Sequence, residues 1–257
     1  MIGAIAGDII GSVYEYVEWK AKDFPLLGER CVFTDDTVLT VAVAKAILEN
    51  QPYRDAIREL GSRYPFARYG RRFSDWLFFS EGLPYNSWGS GSAMRVSPVG
   101  FAHDTEEKVL EEAKKTAEFT HNDPEGIKGA QATALAILRA RSGASKEDIR
   151  CEVTERFSYD LSRTVDDIRP NYRFNGSCEG SVPQAVVAFL DSESYEDAVR
   201  NAVSLGGDAD TLACIAGGIA QAYYGGVPVE IVQWAKKKLT PELLEITEAF
   251  CERFGIA

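Results

Sequence analysis

Two short acidic stretches carry the first legible chemistry. Thr34-Asp35-Asp36-Thr37 and Asp208-Ala209-Asp210-Thr211 are alike in kind, each combining acidic residues and an Asp-Thr pair ahead of an Ala-rich apolar run. Taken singly, such a stretch reads as a helix N-cap, because Thr or Asp accepts from free helix N–H groups and carboxylates suit the positive end of the helix dipole. A second copy changes the reading. Asp208 and Asp210 follow Gly206-Gly207, a pair that permits unusual backbone angles, and both precede a helix too apolar to be a surface element. If the two helix starts converge, four carboxylates and two threonine hydroxyls crowd together, and only cations make such a cluster stable. Donors that are all oxygen select a hard ion, Mg2+ or Mn2+, whereas zinc would ask for His or Cys. Two ions sharing a bridging carboxylate satisfy the ligand count. Glu15, in GDIIGSVYE, adds an acid; there Gly7, Gly11 and Ser12 interrupt a helical pattern, as small residues do where another backbone or a ligand packs closely. Taken alone, Glu15 reads as a surface acid on a packed helix.

Helices must position these groups. Apolar residues recur at helical spacing over Thr37–Leu48, Glu106–Phe119, Gly126–Arg141, Val182–Leu190 and Leu212–Tyr224. Further helical patterns fit Tyr53–Tyr64, Phe73–Phe79, Tyr195–Val203 and Val229–Phe254, the last broken at Thr240-Pro241, where a new helix starts. Two-residue alternation is absent, so little or no sheet is expected. Gly and Ser cluster at Asn86–Met94, Asn175–Ser181 and Ser204–Thr211, which read as loops feeding helices, where sites tend to sit. No low-complexity linker separates them, and the expectation is one all-α domain over residues 1–257.

Composition narrows the class. Lys and Arg number 28 against 39 Asp and Glu, a net charge of −11, and no basic run stands out, which argues against gripping a nucleic-acid backbone. An anionic ligand could still bind where a metal or backbone N–H groups supply local positive character. Cys31, Cys151, Cys178, Cys214 and Cys251 are odd in number and lack a C-x-x-C pair, so they read as buried thiols in a reducing compartment. The apolar N-terminus lacks a basic leader and carries Asp8 and Glu15, so it reads as neither a signal peptide nor a membrane span. A cytoplasmic protein is expected.

Seven motifs in order, GDIIGSVYE at Gly7, FTDDTVLT at Phe33, RYG at Arg68, SWGSGSAMR at Ser87, Thr120-His121, SVPQA at Ser181 and GGDADT at Gly206, cover nearly the whole chain. In these the sequence resembles the ADP-ribosylglycohydrolases. The resemblance implies a compact orthogonal all-α fold holding two Mg2+ ions, with Thr34, Asp35, Asp36, Asp208, Asp210 and Thr211 at the metal positions and Glu15 nearby. It implies that the loop holding Ser87, Trp88, Gly89, Ser90 and Gly91 cradles the pyrophosphate of ADP-ribose, in keeping with backbone N–H groups offered to an anion. Ser90 and Trp88 depart from relatives, which usually carry Asn and often Tyr there. His121 matches a histidine near the nucleotide, or is a helix-terminal His bonded to backbone. Asn175 and Gly176 fall near the adenosine region, and Gly70 matches the family or is a turn. Arg95 suits a phosphate contact or a buried ion pair bracing the site. Phe174, Tyr172 and Tyr85 suit either adenine stacking or packing.

The implied reaction is hydrolysis at C1″ of ADP-ribose carried by a protein or small molecule, through an oxocarbenium-like state. The ions orient the ribose hydroxyls, and a carboxylate, Asp36 first and Glu15 second, activates water. GSVYE looks more like the branch acting on oxygen linkages than that acting on arginine. A non-catalytic ADP-ribose binder or structural protein is the rival from another class, and the intact acidic motifs argue against it.

Overall fold

The structure is a computed structural model and describes residues 1–256. Its helices, in chain order, are α1 (Ile2–Gly11), α2 (Asp35–Glu49), α3 (Tyr53–Ser62), α4 (Arg71–Phe79), α5 (Gly91–Met94), α6 (Ser97–Ala102), α7 (Glu106–Ala117) and α8 (Pro124–Arg141). They continue with α9 (Lys146–Phe157), α10 (Val165–Ile168), α11 (Cys178–Leu190), α12 (Tyr195–Ser204), α13 (Ala209–Tyr224), α14 (Val229–Lys238) and α15 (Pro241–Arg253). Among the described residues there is no strand, only an isolated antiparallel bridge between Gly89 and Ser177. The expected all-α class therefore holds, and no described helix is long and apolar enough to cross a membrane.

The helix starts follow from local chemistry. Side-chain caps open most of the long helices: Thr34 accepts from Asp36 N at α2, Asp123 from Glu125 N at α8, and Thr240 from Leu243 N at α15. Thr240-Pro241 thus ends one helical pattern and opens the next, as its residue types require. Two of the expected loops are shorter than expected. Helix α5 forms within 86–94, and α11 begins at Cys178 because Ser177 accepts from Gly180 N. Helix α9 has no strong apolar stripe; its signature is the capping box of Ser145 and Asp148.

Helix α13 is the centre of the molecule. All its residues from Ala209 to Ala222 are buried, as are all of α1, and α13 packs against α1, α8, α11 and α12. Gly3, Gly7 and Gly11 recur every fourth residue and so share one face of α1. A Cβ on them would lie 2.6 Å from Gly217 O, 2.1 Å from Ala213 O and 2.5 Å from Ala209 O respectively. The two backbones touch with no side chain between them, which explains the interrupted pattern in GDIIGSVYE. The five cysteines are free, but only Cys31, Cys178 and Cys214 are buried. Cys151 is exposed and Cys251 half-buried, contrary to the expectation for all five, because α9 and α15 pack on the outside with one face each.

Gly7→Ala must push α1 away from α13. Overpacking of this kind costs about 1 to 3 kcal/mol, so thermal denaturation should show a midpoint lower by about 2 to 12 °C. Gly70→Ala, whose added methyl meets nothing within 4 Å, should leave the midpoint unchanged or slightly raised.

Candidate functional site

The contact of α1 with α13 brings three chain segments to one point. Gly11, at the end of α1, lies where a Cβ would sit 2.5 Å from Asp210 Cα, so the start of α13 abuts the end of α1. Asp8, one turn earlier on α1, reaches the start of α2. Its Oδ2 accepts from the backbone N–H of Thr34 (3.0 Å) and Thr37 (3.1 Å) and from the Thr37 hydroxyl, and its Oδ1 accepts from the Thr34 hydroxyl at 2.7 Å. A carboxylate from one helix thus caps another and binds the two together. Gly206 and Gly207, at φ +72° and +71°, turn the chain so that Asp208 and Asp210 face the same point.

The two acidic helix starts do converge. Thr211 Oγ1 lies 3.4 Å from Asp36 Oδ2, and oxygens of Glu15, Asp208 and Asp210 fall within 4.8 Å of one another. Asp36 is 2% exposed and its Oδ1 is buried with no partner, while the Glu15 side chain is 11% exposed. Burial, with neighbouring carboxylates second, raises the pKa of Asp35, Asp36 and Asp210 well above the usual carboxylate range. Burial likewise pushes Asp208 up to about 6. A divalent cation fits this chemistry: the clustered carboxylates and the Thr211 hydroxyl are oxygen donors, Asp36 keeps a buried oxygen with no hydrogen-bond partner, and positive charge would relieve both desolvation and repulsion. Thr34 is buried at the same helix start, its hydroxyl engaged by Asp8.

A cavity of about 430 Å³ opens over the cluster. Glu15, Asp35, Asp36, Asp208, Asp210 and Thr211 line one part of it, and Gly70, Ser87, Trp88, Gly89, Ser90, Gly91, His121 and Gly176 line the rest. The residues singled out in the sequence for metal, catalytic or ligand contacts are therefore gathered in one place, with three outside the lining, Tyr172 among them. One is Thr34. Another is Asn175, whose Oδ1 accepts from Ser177 N at 3.0 Å and Ser177 Oγ at 2.7 Å, so that it braces Ser177, the N-cap of α11, instead.

The loop differs from expectation in its donors. The N–H groups of Ser87, Gly89 and Ser90 already donate to Thr120 O, Ser87 Oγ and Gly176 O. Those of Trp88 and Gly91 have no protein acceptor among the described residues. Arg95 does not form a buried ion pair. Fully buried, it donates to Thr116 O at 2.6 Å and Thr120 Oγ1 at 2.8 Å, with Nε and Nη1 unpartnered. Burial, then the charges of Arg95 and Arg72, holds the His121 pKa well below its ordinary value, so the ring is neutral. Trp88 and Phe174, each 54% exposed, and Tyr85 also line the cavity, whereas Tyr172 donates to Gly180 O at 3.0 Å and packs beneath.

The sequence assigns no role to Asp8 or Arg68, although they fall in the motifs GDIIGSVYE and RYG. In the sequence Asp8 reads only as an acid in an apolar stretch, although an Asp inside a fully buried helix demands partners and is recognisable on that ground. Arg68 sits at φ +69° and donates to Ser12 O at 2.9 Å and Glu15 Oε2 at 3.1 Å, holding Glu15 at the rim. Arg71 and Arg72 stand with it along the cavity. No spacing rule announces this arginine cluster in a chain of net charge −11.

The family model described as ADP-ribosylglycohydrolase matches residues 1–255. The ADP-ribosylhydrolase ARH3 of Mus musculus is 26% identical over 309 aligned positions, covering 88% of this chain and 82% of that protein. ADP-ribosylarginine hydrolase Tri1 of Pseudomonas putida (strain GB-1) is 29% identical over 170 positions, covering 61% of this chain and 46% of that protein. A solved structure described as an ADP-ribosylglycohydrolase-related protein complex shares the fold, with a TM-score of 0.69 at 24% identity, covering 98% of this chain and 96% of that one. With acidic helix starts that meet over a cavity and a family match along almost its entire length, the chain belongs to the ADP-ribosylglycohydrolase family.

Proposed function

We propose that this protein is a Mg2+-dependent hydrolase that cleaves the glycosidic bond at C1″ of ADP-ribose on modified proteins or small molecules, with oxygen-linked ADP-ribose as its preferred class. One observation carries the reading: a single cavity is lined both by a buried oxygen-donor cluster and by a glycine loop with His121 and a buried Arg95 that has no carboxylate partner. Its volume of about 430 Å³ suits a ligand of nucleotide size. Asp35, Asp36, Asp208, Asp210 and Thr211, with Glu15 and with Thr34 behind them, would hold two Mg2+ ions, for which Mn2+ could substitute. The ions would bind the ribose diol and stabilise charge as the glycosidic bond lengthens.

The remaining work falls to the protein's own groups. The cavity orients the ribose and limits water to what the carboxylates can hold. In the step itself a water oxygen bonds to C1″ as the bond from C1″ to the leaving oxygen breaks; a carboxylate takes the water's proton, and the leaving oxygen gains one. Asp36, with its free buried oxygen, is the first candidate for that carboxylate, and Glu15, held by Arg68, is the second. The preference for an oxygen-linked substrate rests on the GSVYE stretch that carries Glu15.

Peptides carrying ADP-ribose on serine or on arginine, incubated with and without Mg2+, test the reading. ADP-ribose should be released faster from serine, and only with the metal. Faster release from arginine would reverse the assigned linkage, and binding without release would make the protein a binder. In the same assay Asp210→Asn should lose at least about 10² to 10³ in turnover and bind Mg2+ more weakly. Its metal-free form should melt no lower than wild type, because clustered negative charge is removed. Near-normal turnover and metal affinity would reduce Asp210 to a helix cap.

Wild type should bind ADP-ribose with a Kd in roughly the micromolar range. A Cβ at Gly91 would lie 3.0 Å from His121 Nε2, so Gly91→Val should weaken binding about tenfold or more by calorimetry. Unchanged affinity would remove the loop from the site.

A further inference from the structure

The buried contacts of Arg95, Thr120 and His121 form a directional chain. Thr120 has one hydroxyl proton and accepts from Arg95 Nη2 at 2.8 Å. That proton can go to His121 Nδ1 at 2.8 Å or to Ala117 O at 3.4 Å. Ala117 O already accepts the backbone N–H of Thr120 (3.0 Å) and of His121 (2.7 Å), so the shorter bond to Nδ1 takes the proton. The reverse arrangement, with Nδ1–H and Arg95 both donating to one hydroxyl, would leave its proton on the longer contact to a carbonyl that is already saturated. A ring that accepts at Nδ1 carries its own proton on Nε2.

Nε2 has no protein partner among the described residues and faces the loop. A Cβ on Gly91 would lie 3.0 Å from it and one on Gly89 3.6 Å, so the two glycines keep the space in front of this N–H clear. Arg95 supplies an independent pointer. It is fully buried, lines the same cavity, lies over the Phe119 ring at 5.1 Å, and has two nitrogens without a hydrogen-bond acceptor and no carboxylate beside it. A buried cation without a counter-charge is costly, and an anion in the cavity would compensate it.

We infer that Arg95 and Thr120 are positioning residues that hold His121 as the neutral Nε2–H tautomer, aimed at the anionic group of a nucleotide seated against the 87–91 loop. The target of the N–H rests on the nucleotide reading of the cavity; the tautomer does not. The device gives recognition a direction: a fixed N–H donor favours a diphosphate oxygen, which can only accept, and disfavours a ligand that would present a donor there.

Nitrogen-15 NMR of the full chain tests this, because the sequence has only two histidines, and His121→Gln assigns the signals. At neutral pH the His121 ring should show a bare Nδ1 and a protonated Nε2, with the Nε2–H signal moving on addition of ADP-ribose or inorganic pyrophosphate. Thr120→Val should mix the tautomers and weaken ADP-ribose binding about tenfold, the scale of losing a hydrogen bond to a charged group. Thr120→Ser, which keeps the hydroxyl, should recover most of that loss. A wild-type ring protonated at Nδ1 overturns the proposal without any variant, so a variant that fails to fold does not shelter it. A folded Thr120→Val with wild-type tautomer and affinity overturns it as well. If wild type shows the Nε2–H form yet binds neither probe, the relay stands, and both its assigned target and the nucleotide reading are wrong.

Discussion

Everything at the site depends on two helix backbones lying in direct contact. Helices in globular proteins usually stand about 8 to 10 Å apart because side chains separate them. Gly3, Gly7 and Gly11 remove that separation along one face of α1, and Gly217 does so from α13, where a Cβ would lie 2.4 Å from Gly3 O. The start of α13 is then fixed against the end of α1. Asp8 extends the same geometry to α2 by capping it from outside, so three segments distant in sequence share one origin.

Stability and function pull in opposite directions at that origin. Asp35, Asp36, Asp208 and Asp210 are drawn together in a place where burial and mutual repulsion oppose their ionisation. Burial raises the pKa of Asp8 as well, and its charge adds to the repulsion on Asp35 and Asp36, but backbone and hydroxyl donors offset that burial, whereas Asp36 retains an oxygen with no hydrogen-bond partner. The contrast separates a carboxylate that holds the fold from carboxylates kept available for a cation. Positive charge lines the same cavity, with Arg68 paired to Glu15 and Arg95 buried over the Phe119 ring without a carboxylate partner.

Much of this was legible because the signals are local. The apolar periodicity of residues 37–48 and 212–224 marks α2 and α13, and the Thr-Asp pairs preceding them mark their starts. The glycines of GDIIGSVYE announce a close approach, though not what approaches. What could not be read is whatever depends on a partner far along the chain. Asn175 looks like a loop residue free to bind a ligand until Ser177 is seen to occupy it, and three N–H groups of the 87–91 loop are likewise taken by neighbours. Arg95 suggests an ion pair by its residue type, and only the packing reveals that no acid is near. Arg68 reaches Glu15 across 53 positions, a contact that no periodicity encodes.

The central claim is that the convergence of α1, α2 and α13 creates a site for divalent cations. Anomalous diffraction from crystals of the full chain soaked in Mn2+ measures this directly. The account predicts anomalous density at the carboxylate cluster of Glu15, Asp36, Asp208 and Asp210, within about 2.1 to 2.3 Å of carboxylate oxygens there. Density absent from the cluster at saturating Mn2+, or found only among surface carboxylates elsewhere, would contradict it.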